Sequence, residues 1–126
     1  MEDVRLFDTA SRSIKPLLAA DGKVLKFYAC GPTVYGPAHI GNFRTFLAQD
    51  LLVRVWQEAG GKVQHVRNLT DVDDKTIRGA REAGQKLGDF TQGWTDRFWK
   101  DGLALGLQQP NREPRATEFI PKQISL

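Results

Sequence analysis

One stretch of about 47 residues constrains the fold more than any other part of the chain. Residues 23–29 and 63–69 are short apolar runs rich in strand-forming side chains. Between them, residues 40–59 carry apolar side chains at spacings of three and four, which is the period of a helix, and Gly60-Gly61 ends that pattern. Strand, helix and strand in this order form a βαβ unit with parallel strands. The sequence therefore predicts an α/β fold.

A second helix is predicted directly after the second strand. Thr70 or Asp71 can cap it, and the acidic residues 73–74 in its first turn suit the positive end of the helix dipole. The pattern predicts an end near Gly84 or Gly88.

The flanking segments give weaker patterns. A third helix is predicted over about residues 89–105, and a last one, capped by Thr117, runs towards the C-terminus. Residues 1–22 show no regular apolar period and are interpreted as a lead-in. Large side chains on one side of the third helix indicate core packing rather than a cofactor site: Phe90, Trp94 and Phe98.

Composition narrows the class of protein. The length of 126 residues fits one domain, and the formal charge of +3 without a basic run permits nucleic-acid contact but does not demand it. A single cysteine excludes an internal disulfide and a zinc site made of this chain's cysteines alone. No apolar run approaches the roughly 18 residues of a membrane span. Met1-Glu2-Asp3 is acidic without a signal-peptide core, so we expect a cytoplasmic protein.

Two loops hold most of the polar and unusual residues. One covers residues 30–42 after the first strand, and the other covers residues 68–75 after the second. Parallel strands place their carboxyl ends at one edge of a sheet, and ligands of open α/β sheets bind there. We therefore expect the two loops to share a ligand pocket.

The start of the first helix is a candidate phosphate site. Free backbone amides and the helix dipole attract anions there, and His39 and Asn42 can donate to phosphate oxygens. Gly41 would let a flat base lie against the backbone. The alternative is that Gly41 is a close-packing glycine and His39 an ordinary polar loop residue.

Two further features each have two interpretations. Cys30 faces the predicted pocket, yet a lone cysteine is more often a small buried residue than a nucleophile or metal ligand. The acidic segment of residues 71–74 resembles a carboxylate metal cluster, and it equally suits a capped helix start. His65 lies mid-strand and is interpreted as structural.

Three sequence blocks together resemble a known family. Residues 27–42 read FYACGPTVYGPAHIGN, residues 66–75 read VRNLTDVDDK, and residues 113–118 read EPRATE. In order and spacing, these blocks are similar to those of the cysteinyl-tRNA synthetase family of class I aminoacyl-tRNA synthetases. The resemblance implies a Rossmann-type, nucleotidyl-transferase-like parallel sheet with crossover helices. Residues 1–126 would be the N-terminal half of that catalytic domain, incomplete in this chain, with 1–22 as the lead-in.

The resemblance also implies roles for individual residues. Cys30 would be one ligand of a zinc ion that binds the substrate thiolate, and Gly31 and Thr70 would contact the amino acid. His39 and Asn42 would be the catalytic pair. The fourth position of the His-Ile-Gly-His signature is Asn42 here, which keeps a donor but cannot become a cation. The ATP contacts would be Pro32, Thr33, His39, Gly41 and Asn42.

The implied activity joins cysteine to ATP, which enters with magnesium, and then transfers cysteine to tRNA(Cys). The other zinc ligands would lie outside this chain, and its uncovered sheet edge would favour self-association. Two alternatives remain open: a ligase that joins cysteine to an amino sugar, and a truncated paralogue that binds nucleotide or tRNA without catalysis.

Overall fold

The computed structural model describes residues 4–126, so Met1-Glu2-Asp3, on which the expected lack of a signal peptide rested, lies outside the described residues. No helix within residues 4–126 is long and apolar enough to cross a membrane. The elements in chain order are β1 Arg5–Asp8, β2 Ser13–Pro16, β3 Val24–Ala29, α1 Ile40–Glu58, β4 Lys62–Arg67, α2 Asp74–Glu82, α3 Leu87–Ala104, a 3-10 turn at Ala116–Phe119, and α4 Ile120–Ile124.

The predicted βαβ unit is confirmed. Strands β3 and β4 pair in parallel, with Val24 opposite Lys62 and Ala29 opposite Arg67, and α1 connects them. Because Ala29 and Arg67 are partners, the two following loops leave the sheet at the same edge. The register therefore brings the two loops together at the edge where the sequence predicts ligand binding.

An extended segment at residues 112–116 lies along the free edge of β4. The Arg67 amide donates to the Arg112 carbonyl at 3.0 Å, and the Leu69 amide donates to the Pro114 carbonyl at 2.9 Å. Parallel bridges join Val66 to Arg112 and Leu69 to Arg115. The segment therefore acts as a third strand, which the sequence pattern did not predict.

Helix α1 buries one face against the sheet and α3. Its buried positions recur every three or four residues, as the apolar period predicts: Phe43, Phe46, Asp50, Val53 and Trp56. The ring of Phe98 on α3 stacks on Phe43, with centroids 5.6 Å apart, and meets Phe46 edge-on at 5.1 Å. These three rings belong to one core cluster, which also contains Val34, from the loop after β3, and Leu69, from the loop after β4.

The start of α2 differs from the prediction. The capping residue is Asp73, whose carboxylate accepts the Thr76 amide at 2.8 Å, while the Thr76 hydroxyl accepts the Asp73 amide at 2.8 Å. Thr70 and Asp71 are not caps, because both are held in the preceding extended segment. The helix ends at Glu82, and Gly84, with φ +64°, follows as the predicted stop.

Thr117 does not cap the final helix, contrary to expectation. Arg115 occupies the capping position of the 3-10 turn. The Thr117 amide and hydroxyl instead donate to the Asp71 carboxylate at 3.0 and 2.6 Å. Thr117 therefore connects the end of the extended segment at residues 112–116 to the loop after β4.

The lead-in contains a hairpin rather than irregular chain. Strands β1 and β2 pair antiparallel, with Asp8 opposite Ser13. The Asp8 carboxylate accepts the Ser11 amide at 3.0 Å and pairs with Lys15 at 2.8 Å. These turn contacts order a segment whose side chains are mostly exposed.

Candidate functional site

The expected pocket lies at the carboxyl ends of β3 and β4. Its cavity measures about 390 Å³, within the range of small-molecule sites. The whole loop of residues 30–39 forms one wall. The rest of the wall comes from three helices and consists of Asn42, Thr45, Phe46, Lys75, Trp94 and Phe98.

Backbone hydrogen bonds tie the two loops together. The Thr70 amide donates to the Pro32 carbonyl at 3.0 Å, and the Val34 amide donates to the Thr70 carbonyl at 3.1 Å. The Gly31 amide donates to the Asn68 side-chain oxygen at 3.2 Å. A Cβ at Gly31 would lie 1.8 Å from the Asn68 carbonyl oxygen, so this close approach requires glycine.

His39 caps the helix that faces the pocket. Its Nδ1 accepts the Gly41 amide at 3.1 Å, and the Asn42 Oδ1 accepts the His39 amide at 3.1 Å. The His39 carbonyl also accepts the amides of Asn42 and Phe43 at 2.9 and 3.1 Å. Two amides that a helix start normally leaves free, those of Gly41 and Asn42, are therefore already committed, and the helix end offers fewer free donors than the sequence alone predicts.

Two predicted ligand-binding residues do not line this cavity. The first is Gly41, which lies on a separate open groove beside Arg44 and Gln49. The second is Thr70, whose hydroxyl accepts the side-chain amide of Asn68 at 3.1 Å. The other predicted residues do line it: Cys30, Gly31, Pro32, Thr33, His39 and Asn42. Their roles towards ligands stay predictions.

Sequence reasoning missed the side chains that reach the pocket from α2 and α3. The family block of residues 66–75 includes Lys75 without implying a role for it, and the helical pattern predicts Trp94 to be a core residue. Trp94 packs against the core and also lines the cavity. The polar block before α2 could have drawn attention to Lys75, whereas no sequence signal marks Trp94.

The acidic segment before α2 is structural. Asp71 is 4% exposed and accepts two hydrogen bonds from Thr117, and Asp73 caps the helix. Within residues 4–126, no group of three or more His, Cys, Asp and Glu side chains could hold a metal ion. The capped-helix interpretation is therefore confirmed for Asp73.

Cys30 is an exposed free thiol on the pocket wall. A tetrahedral zinc site takes four nitrogen or sulfur ligands, and His39, the nearest candidate by sequence, already uses Nδ1 in the helix cap. The residues that the structure describes thus supply a single thiolate and do not by themselves fit a zinc centre. The assignment of Cys30 as a zinc ligand stays a prediction.

His65 lies in the core beneath the sheet edge. It is 5% exposed and stacks on Phe27, with ring centroids 5.2 Å apart. Burial lowers its pKa below the ordinary value of 6.5, and the nearby charge of Arg67 lowers it further, against weaker opposing effects of Asp50 and Glu113. A neutral, buried ring agrees with the structural interpretation.

A parallel βαβ unit with a cavity between its strand ends and the start of its helix is the arrangement of Rossmann-type, doubly wound α/β domains. The sequence profile described as tRNA synthetases class I (C) catalytic domain matches residues 17–126. The chain belongs to this family.

Individual relatives agree with the family match. The Cysteine--tRNA ligase of Opitutus terrae is 51% identical over 98% of this chain, and that of Protochlamydia amoebophila is 46% identical over 98%. That of Albidiferax ferrireducens is 41% identical over 98%. The chain spans about a quarter of the length of these relatives, with 28%, 26% and 27% covered.

Proposed function

We propose that this chain forms the N-terminal half of a cysteine–tRNA ligase catalytic domain, in which it helps to activate cysteine with ATP and to charge tRNA(Cys). One observation carries the proposal: residues 30–39 and Asn42 of the family's first block line a cavity of about 390 Å³ at the carboxyl ends of the parallel strands. The named relatives supply the identity of the amino acid.

The proposed reaction has two steps. In the first, a carboxylate oxygen of cysteine attacks the α-phosphorus of ATP, and the bond to the bridging oxygen breaks, so that pyrophosphate leaves with the electron pair. In the second, a terminal ribose hydroxyl of the tRNA attacks the carbonyl carbon and AMP leaves. The protein's contribution is to position the reactants and to stabilise the charge that develops on phosphate. Magnesium enters with ATP.

His39 and Asn42 are proposed to donate to the phosphates. Because Nδ1 of His39 accepts the Gly41 amide, the neutral ring carries its proton on Nε2, which is then a donor. Asn42 uses its oxygen to accept the His39 amide, so its side-chain NH₂ is the group left to donate. The helix cap thus fixes which atom of each side chain can meet a ligand.

The remaining proposed contacts combine the loop geometry with the family resemblance. Pro32 and Thr33 line the cavity and are proposed to contact ATP. Gly41 lies on the neighbouring groove, and its proposed contact with the adenine rests on the resemblance. The bare backbone of Gly31 and the neighbouring Thr70 are proposed to contact cysteine, since hydrogen bonds hold both beside the second loop. Cys30 is proposed to be one thiolate ligand of a zinc ion. The remaining zinc ligands are proposed to come from outside residues 4–126. Because tRNA charging supplies translation, a cytoplasmic location is part of the proposal.

A chimera tests the proposal in a full-length context. Residues 1–126 would replace the aligned segment of the Opitutus terrae ligase, and cysteine-dependent exchange of pyrophosphate into ATP would be measured. We expect exchange in the chimera and a loss of about a hundredfold or more on His39→Ala. A matched variant on the exposed face, Lys100→Ala, should keep the rate.

The alternatives give different results in the same chimera. Nucleotide binding without exchange would favour a paralogue that binds but does not catalyse. Exchange followed by transfer to an amino sugar, and not to tRNA, would favour the amino-sugar ligase. Neither binding nor exchange in a folded chimera would contradict the proposal.

A further inference from the structure

The charge of the cavity comes from one side chain. Lys75 is the only lysine or arginine in the cavity wall formed by the described residues, and that wall contains no aspartate or glutamate. A cavity with one cation and no carboxylate is electrostatically suited to an anionic ligand.

The backbone around Lys75 is held firmly. Lys75 is the second residue of α2. It lies between Asp73 and Thr76, which are joined by two hydrogen bonds of 2.8 Å. Thr76 is fully buried, and its hydroxyl also donates to the Asp73 carbonyl at 2.9 Å. The position from which the lysine side chain leaves the helix is therefore fixed by the helix cap.

The ammonium group itself is not committed to a carboxylate. Within residues 4–126, its recorded charged or aromatic contact is the ring of Tyr35, with Nζ 5.1 Å from the ring centroid. Tyr35 belongs to the loop that forms the cavity wall. This cation–π contact holds the charge at the cavity rim without neutralising it.

Other sources of positive charge at the cavity are limited. The Gly41 amide donates to Nδ1 of His39 and the Asn42 amide donates to the His39 carbonyl, so two of the amides that a helix start offers to an anion are already used. Asn42, at the fourth signature position, carries no charge. An ammonium is a compact point charge that binds phosphate oxygens well.

We propose that Lys75 binds the phosphate chain of ATP and supplies the positive charge that Asn42 and the capped helix end do not. This inference rests on the proposed function, because it takes ATP to be the ligand of the same cavity. It assigns Lys75 as a phosphate-binding residue that reaches the site from α2.

The test uses the chain itself and three probes: ATP, adenosine and inorganic tripolyphosphate. Binding is measured by calorimetric or NMR titration at low salt for the native chain, Lys75→Met and Lys75→Arg. Lys100→Met is the matched control, since it removes one exposed charge from α3 outside the cavity wall. Circular dichroism establishes that each variant is folded.

We expect Lys75→Met to weaken ATP and tripolyphosphate about tenfold and to leave adenosine unchanged. Lys75→Arg should retain part of the affinity, and Lys100→Met should retain all of it. Equal ATP affinity in the native chain and Lys75→Met would overturn the inference and leave the proposed function standing.

The probes separate the remaining outcomes. In one such outcome, tripolyphosphate binds in a Lys75-dependent way, adenosine does not bind, and ATP binds no better than tripolyphosphate. This result would support the phosphate site and contradict the proposed function. Failure of both the native chain and the folded chimera to bind any of the three probes would overturn both.

Discussion

At the scale of single residues, Gly31 is the tightest point of the site. An added Cβ would lie 1.8 Å from the Asn68 carbonyl oxygen, which is backbone and cannot rotate away. We expect Gly31→Ala to lower the free energy of unfolding by about 1–3 kcal/mol through overpacking, measured by urea denaturation. Gly36→Ala, where nothing lies within 4 Å of the added atom, should change it little. Equal stability of the two variants would contradict the close approach of the loops.

His65 makes stability depend on pH. Its folded pKa lies below 6.5 while the unfolded chain keeps a value near 6.5, so the unfolded state binds more protons between the two values. The contribution of the neutral His65 ring to the free energy of unfolding is therefore fully present above pH 6.5 and is lost as the pH falls below this value. We expect the free energy of unfolding to decrease from about pH 7.5 to about pH 5.5 in the native chain and in His39→Asn. The decrease should be absent in His65→Phe. An unchanged pH slope in His65→Phe would contradict this assignment.

At the scale of elements, a buried ion pair holds the extended segment at residues 112–116 against β4. Arg67 and Glu113 approach to 2.6 Å with side chains 6% and 13% exposed, and Trp99 also donates to Glu113. Glu113→Gln leaves a buried guanidinium uncompensated, so we expect a loss of about 3–5 kcal/mol in thermal or urea unfolding. The control is Glu58→Gln, at an exposed helix end. A loss no larger than that of the control would show that the pair does not hold the segment.

The sequence predicts the elements that bury one face. Helix α1 and the parallel strands repeat apolar residues at their own period, so local pattern is sufficient there. The β1–β2 hairpin escapes prediction because Phe7 and Ile14 are 64% and 65% exposed, and turn contacts define it instead. The segment at 112–116 is extended because it bonds to β4, which lies 46 residues earlier. No local pattern contains that information.

The candidate site was predictable to a similar degree. The rule that ligands bind at strand ends locates the loop of residues 30–39 correctly, because that loop is continuous in sequence. Lys75 and Trp94 reach the cavity through the packing of α2 and α3, which the sequence pattern does not specify. Gly41 lies on the groove beside Arg44 and Gln49 and not in the cavity, and its amide is used in the helix cap made by His39. The sequence pattern does not predict this placement.

At the scale of the whole molecule, β3 has one free edge. Among residues 4–126, β4 is the strand paired with it, and Tyr28 on β3 is 63% exposed. Edge strands with apolar side chains favour pairing between chains, so self-association stays a prediction. We expect sedimentation to show concentration-dependent association. The association should be reduced in Tyr28→Lys and retained in Leu18→Lys, which alters an exposed apolar residue outside the strands. A monomer at all concentrations that melts cooperatively would contradict it.

Residues 30–39 and Lys75, the last residue of the second loop, line one cavity at the strand ends, and this cavity is proposed to bind nucleotide. Titration of the ¹⁵N-labelled chain with magnesium and ATP, followed by two-dimensional NMR, tests this most directly. We expect the non-proline amides of residues 30–39 and the amide of Lys75, together with the indole of Trp94, to shift along a single saturable curve. Saturation that leaves these signals in place, or that shifts only the groove beside Arg44 and Gln49, would contradict it.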